Sequence, residues 1–154
     1  MKILFYSIIT FMLTACSQGE REIILVPKNF KGYIIIVYEQ KNGVPIKYEA
    51  DKRVYKIPQN GILKTQFKSN EGLREFPEYY YGSIAPENKL YSFAEINKVP
   101  IDTIVGFMGA TGTVRKSSKS NDYFEFSEFY ICTKSDIIKL QRQVEKFDIL
   151  KFMN

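Results

Sequence analysis

Short apolar runs alternate with turn residues along most of the chain, and this pattern predicts a β-rich fold. One strand is expected before a turn at 27–32 that contains Pro, Asn and Gly, and a second is expected at 33–38. Four consecutive β-forming residues at 34–37 predict that the second strand is covered on both faces. Further strands are predicted at 52–57, 62–67, 103–108 and 123–132, with two more in 76–93 around a polar turn at 86–89.

The segment RVYKIPQNGILKT, residues 53–65, predicts a hairpin. A three-residue loop with Gly61 in the left-handed region gives the best match between apolar positions across the two strands. This register points Tyr55, Ile57 and Leu63 inward, and Lys56 and Lys64 toward water. In the alternative arrangement, Pro58 and Gly61 carry the chain between two sheets.

The spacing of apolar residues changes near the end of the chain. From residue 134 they recur at helical intervals, which predicts an amphipathic helix over 135–150 with Thr133 or Ser135 as its N-cap. Many short strands followed by one helix predict a mainly β protein. We expect a single antiparallel β-sandwich, immunoglobulin-like or transthyretin-like, with the helix covering an edge or a face.

Length and composition narrow the classes of function. The 154 residues suit one domain, and the net charge of +5 comes from basic residues that are spread along the chain, so nucleic-acid binding is not expected. The chain has no histidine, and therefore lacks the commonest general base and metal ligand. We expect neither an enzyme nor a metal or other cofactor.

Several local motifs favour structural roles. The glycines of GFMGATGT, residues 106–113, indicate a turn or bulge, because no helix follows to form a phosphate site. Cys132 lies in an apolar strand and is expected to be a buried small hydrophobic residue. The polar segment 115–122 is expected to be a disordered insert. Three carboxylates near Arg74 are expected in a solvated loop: Glu71, Glu75 and Glu78.

The tyrosine-rich segment 79–93 is the candidate for binding a small ligand or a glycan. Its proposed contacts are Tyr80, Tyr81 and Tyr91, and Tyr80 is expected to be the most exposed if its neighbours face inward. Aromatic residues also fill the cores of β proteins, and core packing is the favoured interpretation of this segment.

The N-terminal segment has the layout of a secretory signal, with Lys2 before an apolar run and small residues before Cys16. The sequence Leu-Thr-Ala-Cys at 13–16 resembles the lipobox of bacterial lipoproteins. This resemblance implies removal of 1–15, a diacylglycerol on the Cys16 sulfur, and a fatty acyl group such as palmitate on the new amino group. A lipidated tether at 16–21 would then precede a domain at 22–154. The alternative is an apolar strand or helix with an incidental buried cysteine.

Three motifs after the lipobox, PKNFKG, VYKIPQNGILKT and FYICT, resemble an uncharacterised family of small bacterial lipoproteins with a domain of unknown function. The resemblance covers about 22–132 and rests on Pro27, Phe30, Gly32, Tyr55, Pro58, Gly61 and Thr65. It implies a β-rich fold and a place in the cell envelope. Because Ser17 and Gln18 follow Cys16 without an aspartate, the outer membrane is favoured if the host has two membranes. The predicted function is a non-enzymatic module that binds another envelope protein or polymer.

Overall fold

The computed structural model describes residues 18–153, so the predicted signal and Cys16 lie outside the described residues. It contains nine strands, one α-helix and three short 3-10 helices. The strands are β1 (Glu22–Val26), β2 (Gly32–Val37), β3 (Tyr48–Glu49), β4 (Lys52–Lys56), β5 (Ile62–Lys64), β6 (Glu78–Tyr81), β7 (Lys89–Ser92), β8 (Val105–Arg115) and β9 (Tyr123–Cys132). The helix is α1 (Ile137–Val144), and the 3-10 helices are Pro86–Asn88, Phe93–Lys98 and Ile149–Phe152.

All nine strands belong to one sheet, in the order β3-β4-β1-β6-β7-β8-β9-β2-β5. Strand β7 joins its two halves, because Leu90 pairs with Tyr79 of β6 whereas Tyr91 pairs with Val105 of β8. The mainly β prediction is confirmed. The prediction that the strands are all antiparallel is wrong, because β1 runs parallel to β4 and β6, β2 to β5, and β7 to β8.

The parallel pairs follow from the path of the chain. After β1 the chain crosses to the other half of the sheet for β2, returns for β4, and crosses again for β5. Excursions into the other half therefore separate β1 from β4, β4 from β6, and β2 from β5, and the strands paired after such an excursion run in the same direction. Neighbours such as β8 and β9, which follow one another directly, are antiparallel. Residues of β1, β4 and β6 pack against residues of β2, β5 and β9 to form the main core.

The unbroken apolar run of strand β2 packs into two separate cores. Ile34 and Ile36 point into the main core, whereas Ile35 and Val37 point to a second core beneath α1. All four side chains are fully buried, which confirms the prediction that this strand is covered on both faces.

The predicted hairpin at 53–65 is wrong in its pairing. Strand β4 pairs with β1 and strand β5 pairs with β2, so the turn between them carries the chain from one half of the sheet to the other, as in the alternative arrangement. Gly61 has a φ of 78°, which confirms the left-handed conformation, and its carbonyl accepts a hydrogen bond from the Ile35 amide at 2.9 Å. The inward side chains are confirmed as buried, namely Tyr55, Ile57 and Leu63. Lys56 is exposed as predicted, and Lys64 is half-buried.

Helix α1 is shorter than predicted. It ends at Val144, and a turn leads into the 3-10 helix Ile149–Phe152. Its N-cap is Asp136, whose carboxylate accepts a hydrogen bond from the Thr133 hydroxyl at 2.8 Å. Apolar side chains from this C-terminal region cover the face formed by β2, β8 and β9, and Cys132 is buried there as expected.

Strand β8 extends well beyond the predicted 103–108. Its pairing with β9 shifts between Met108 and Thr111, which confirms a bulge at the glycine-rich motif. The segment 115–122, expected as a disordered insert, connects β8 to β9, and the Lys116 amide donates a hydrogen bond to the Asp122 carbonyl at 2.9 Å.

Candidate functional site

The three tyrosines proposed as ligand contacts do not share a surface. Tyr80 is only 7% exposed, so its predicted exposure is wrong. It lies in β6, an inner strand between β1 and β7, and packs with Ile23 and Val54 on the outer side of the sheet. Tyr81 is half-buried, and its hydroxyl donates to the Phe30 carbonyl at 2.9 Å. Tyr91 alone is well exposed. The segment therefore forms no aromatic platform.

A buried polar cluster is the feature that sequence reasoning missed. Glu22 is 2% exposed, and its carboxylate lies between the Tyr55 hydroxyl at 3.3 Å and the Arg74 Nε at 3.6 Å. The Tyr38 and Tyr79 hydroxyls are also buried, and they have no hydrogen-bond partner within the described part of the chain. We call Glu22, Tyr38, Tyr55, Tyr79 and Arg74 the Glu22 cluster.

Burial dominates the protonation of this cluster. Loss of water raises the pKa of Glu22, and the positive charge of Arg74 lowers it again in part. Burial, together with the charge of Glu22, raises the pKa of Tyr38 to about 12. The pKa of Tyr79 is raised for the same two reasons. The hydroxyls of Tyr38, Tyr55 and Tyr79 therefore stay protonated at any physiological pH.

The Glu22 cluster has the character of a structural centre. Glu22 is the only buried carboxyl in residues 18–153, and it lines none of the surface grooves found there. Acid–base catalysis on a substrate needs a group that the substrate can reach. The cluster joins β1 to the loop that carries Arg74, and we interpret it as a polar contact that fixes their relative position.

Two further ion pairs lie on the neighbouring strands, one beside Glu22 and one on the opposite face of the sheet. Arg53 forms an ion pair with Glu20 and donates to the Lys68 carbonyl at 2.6 Å. Glu78 contacts Lys52 at 2.6 Å. Burial alone would raise the pKa of Glu78, but hydrogen bonds from Lys52 and Tyr80 outweigh it and lower the pKa.

The three carboxylates expected near Arg74 are thus placed differently from one another. Glu71 and Glu75 are exposed as expected, whereas Glu78 is half-buried in ion pairs. Arg74 turns away from all three toward Glu22, which lies 52 positions earlier in the chain. The only local signal for this pair was a glutamate directly before an unbroken apolar run.

An apolar groove of about 450 Å³ lies between the strands at the two ends of the sheet. Its size is within the range of small-molecule sites in proteins. Ile57, Ile62 and Leu63 line it, and we call these three residues its apolar floor; Ile57 and Leu63 are almost wholly buried, so Ile62 offers most of the exposed apolar surface. Lys56 and Lys64 also line the groove. The other lining residues are Asn42, Gly43, Val44, Pro58, Asn60 and Phe152. We call this feature the edge groove. It is built largely from the 53–65 segment.

The edge groove exists because the sheet does not close on itself. Strand β3 is only two residues long and pairs with Lys52 and Arg53, so it leaves the outer side of Lys56 uncovered. Strand β5 forms the opposite end of the sheet. The chain around Val44 lies along β5, where the Val44 amide donates to the Lys64 carbonyl at 2.8 Å. The uncovered space between these segments is the groove.

Comparison with known proteins places the chain in a family. A family model described as a family of unknown function, DUF6843, matches residues 18–139, most of the chain. The chain belongs to this family. The match agrees with the resemblance to an uncharacterised family, although it does not include the lipobox.

A solved structure with a similar fold is a crystal structure at 2.75 Å of a candidate lipoprotein from Bacillus anthracis. It shares 17% identity with this DUF6843 chain, with a TM-score of 0.54, over 78% of this chain and 77% of the other. The likeness shows a shared fold. No curated protein matches the chain.

Two further observations concern the described residues of this DUF6843 protein. Across 18–153, no helix is both long and apolar enough to cross a bilayer. In the same part of the chain, no three Cys, Asp or Glu side chains come together as a metal site would require.

Proposed function

We propose that this DUF6843 protein is an envelope lipoprotein, anchored to a membrane through lipid on Cys16, and that its domain binds a ligand without chemical conversion. The anchor is supported by the lipobox-like sequence at 13–16 and by the fold shared with the candidate lipoprotein from Bacillus anthracis. In a host with two membranes, Ser17 and Gln18 after the cysteine favour the outer membrane.

The edge groove is the binding surface that we propose. The single observation that carries this proposal is that the apolar floor, Ile57, Ile62 and Leu63, and the two lysines Lys56 and Lys64 line the same groove. An apolar chain can bury its surface on the floor, and an anionic head group can pair with the lysines. The ligand class that fits is an anionic amphiphile, such as a long-chain fatty acid or another acyl chain with an acidic head.

A non-enzymatic role is supported by the chemistry near the groove. Its charged side chains are lysines, and no carboxylate, cysteine or hydroxyl side chain lines it. Lysine can act as a base or a nucleophile, but among the groove residues Lys56 and Lys64 have no carboxylate, thiol or hydroxyl side chain beside them to complete an acid–base pair.

Ligand binding can be tested with 11-(dansylamino)undecanoic acid, a fluorescent fatty acid, on the chain that begins at Ser17 and lacks the anchor. We expect saturable binding at one site. Ile62→Asp should weaken it by about tenfold or more, because a charge on the floor of the groove loses the apolar contact. The matched control is Ile138→Asp, which places the same charge at an exposed position on α1 and should leave binding unchanged.

The lysines can be tested separately from the apolar floor. Lys64→Gln should weaken binding of the acid several-fold but should not affect the uncharged methyl ester of the same probe. Equal binding of the acid by the parent chain, Ile62→Asp and Ile138→Asp would contradict the proposed site.

The lipid anchor is tested by growing cells with a radioactive fatty acid. The parent protein should take up label, and Cys16→Ala should not. Equal labelling of the two would refute the anchor.

A further inference from the structure

A group of exposed apolar side chains lies at the end of the domain where the chain enters β1. Leu73 is 74% exposed, and Phe76, Phe93 and Met108 are also exposed. The rings of Phe76 and Phe93 are 6.0 Å apart, and Arg74, next to Leu73, reaches Met108 with its guanidinium 3.8 Å from the sulfur. We call Leu73, Phe76, Phe93 and Met108 the tether-side patch. Single exposed apolar residues are ordinary on a protein surface, whereas several gathered in one place can form a protein or membrane contact.

The strand directions explain why these residues meet at one end. Strand β7 runs antiparallel to β6, which is parallel to β1, so β7 ends where β1 begins. Phe93 follows directly after β7. Strand β8 is parallel to β7, and Met108 lies two positions beyond Gly106, the partner of Ser92. Both side chains are thereby brought to the same end as the loop that carries Leu73.

The chain before β1 is fixed to this loop. The Gly19 amide donates to the Leu73 carbonyl at 2.8 Å, and Gln18 forms a parallel bridge with Leu73. Asn70 holds Glu20 on both sides, because its oxygen accepts from the Glu20 amide at 2.9 Å and its amide group donates to the Glu20 carbonyl at 2.7 Å. A Cβ on Gly19 would lie 2.9 Å from the Glu71 carbonyl oxygen, so the close approach requires glycine.

The reach of the remaining chain is short. From Cys16 to Gly19 a fully extended chain spans at most about 11 Å. With acyl chains on Cys16 inside the bilayer, Gly19 and the adjoining Leu73 can therefore lie no farther than roughly that distance from the lipid head groups. The bilayer that holds the anchor is thus the surface nearest to the tether-side patch.

We infer that the tether-side patch inserts its apolar side chains into the head-group region of the membrane that holds Cys16, as a second point of attachment that orients the domain. This inference rests on the proposed lipid anchor. Glu71 and Glu75 are exposed beside the patch, so attraction to anionic lipids does not drive the contact. Burial of apolar surface does, and the attachment should be equally strong at low and high salt.

Orientation can be measured by tryptophan fluorescence, because the chain has no tryptophan of its own. Leu73→Trp places the reporter in the patch. Ile84→Trp is the matched control: it also replaces an exposed aliphatic residue, but in the turn after β6, at the opposite end of β1. Each lipidated protein is purified from membranes and reconstituted into phosphatidylcholine vesicles that contain shallow brominated lipid, and vesicle flotation reports the anchor.

We expect both proteins to float with the vesicles. The Leu73→Trp emission should be shifted to the blue and quenched by about half, as for a tryptophan at the membrane interface, and Ile84→Trp should remain unquenched. Adding Phe76→Asp to Leu73→Trp should relieve the quenching while flotation persists.

Three results would overturn the inference. If both proteins float but neither tryptophan is quenched, or both are quenched equally, the patch does not lie on the bilayer. If quenching is unchanged by Phe76→Asp, apolar insertion does not hold the domain there. If neither protein floats, the proposed lipid anchor on Cys16 is wrong, and the inference of a second attachment is wrong as well.

Discussion

Replacing Arg74 with methionine should change the protonation of Glu22, because these two groups form a buried ion pair. Their side chains are 9% and 1% exposed, and the Arg74 Nε lies 3.6 Å from the Glu22 carboxylate. At an effective dielectric constant of about 20, two unit charges at this distance attract by about 4 to 5 kcal/mol. Methionine keeps much of the apolar contact of the arginine stem but removes this attraction. The pKa of Glu22, already raised by burial, should rise further.

The effect on stability has a definite sign. A carboxyl whose pKa is higher in the folded state than in the unfolded state binds protons more tightly when folded, so the free energy of unfolding falls as pH rises between the two pKa values. The lower limit of this range is the unfolded pKa of Glu22, near 4.5. The upper limit is the pKa of Glu22 in the folded protein, which should be higher in Arg74→Met. The free energy of unfolding should therefore fall more with rising pH in this variant than in the parent. At pH 8 we expect the free energy of unfolding to fall by about 3 kcal/mol, because the substitution leaves the buried Glu22 carboxylate without its charged partner.

The assay is carbon-detected NMR of the glutamate side-chain carboxyls across pH, with the Glu22 signal assigned by its loss in Glu22→Gln. Urea unfolding at pH 5 and pH 8 gives the matching stabilities. Arg21→Met is the control, because Arg21 pairs with Asp51 on the surface and should leave the Glu22 titration unchanged. A Glu22 pKa that stays the same or falls in Arg74→Met would show that the charge of Arg74 does not stabilise the Glu22 carboxylate.

A glycine substitution at position 61 and the reactivity of the Cys132 thiol test two details of the fold. Gly61→Ala should destabilise the protein by about 3 kcal/mol in urea unfolding, because the new methyl group would overlap the Tyr33 carbonyl in addition to the strain of a positive φ. Gly82→Ala, which has a positive φ but meets only the flexible Lys28 side chain, should cost about 1 kcal/mol, and equal losses would contradict this account. Burial raises the pKa of the Cys132 thiol to about 12. In the chain that begins at Ser17, which lacks Cys16, we therefore expect no reaction with Ellman's reagent at pH 8 until urea unfolds the protein. Rapid reaction of the native protein would show that this strand opens.

The alternation of apolar residues predicted which side chains point inward, but it did not predict which strands pair with each other. Tyr55, Ile57 and Leu63 are buried as the pattern of 53–65 required. The same pattern favoured a hairpin, since it contains no information on which strand lies beside another. The pairing of β4 with β1 depends on the chain crossing between halves of the sheet, which is a property of the whole fold.

The candidate sites differ in how far the sequence could reveal them. The Glu22 cluster depends on Arg74 reaching across from a distant loop, and the sequence there was consistent with a solvated group of charges. The edge groove is lined by Ile57 and Ile62 from the 53–65 segment and by Val44 and Phe152 from elsewhere in the chain. Local patterns described each part, but only the tertiary structure brings the parts together.

The segment before β1 is held against the domain, although its composition predicts a tether. Gly19, Glu20 and Arg21 contact Leu73, Asn70, Arg53 and Asp51. This contact places the proposed anchor next to the tether-side patch. In the proposed lipidated form, this contact would hold the tether-side patch close to the membrane.

The proposed lipid anchor can be tested directly on protein purified from bacterial envelopes. The measurement is the mass of its N-terminal tryptic peptide. Cleavage before Cys16 and trypsin cleavage after Arg21 would yield the peptide CSQGER. We predict that this peptide begins at Cys16 and carries a diacylglycerol on its sulfur. A peptide that retains residues before Cys16, or that has a free thiol, would contradict the proposed anchor and the membrane orientation inferred from it.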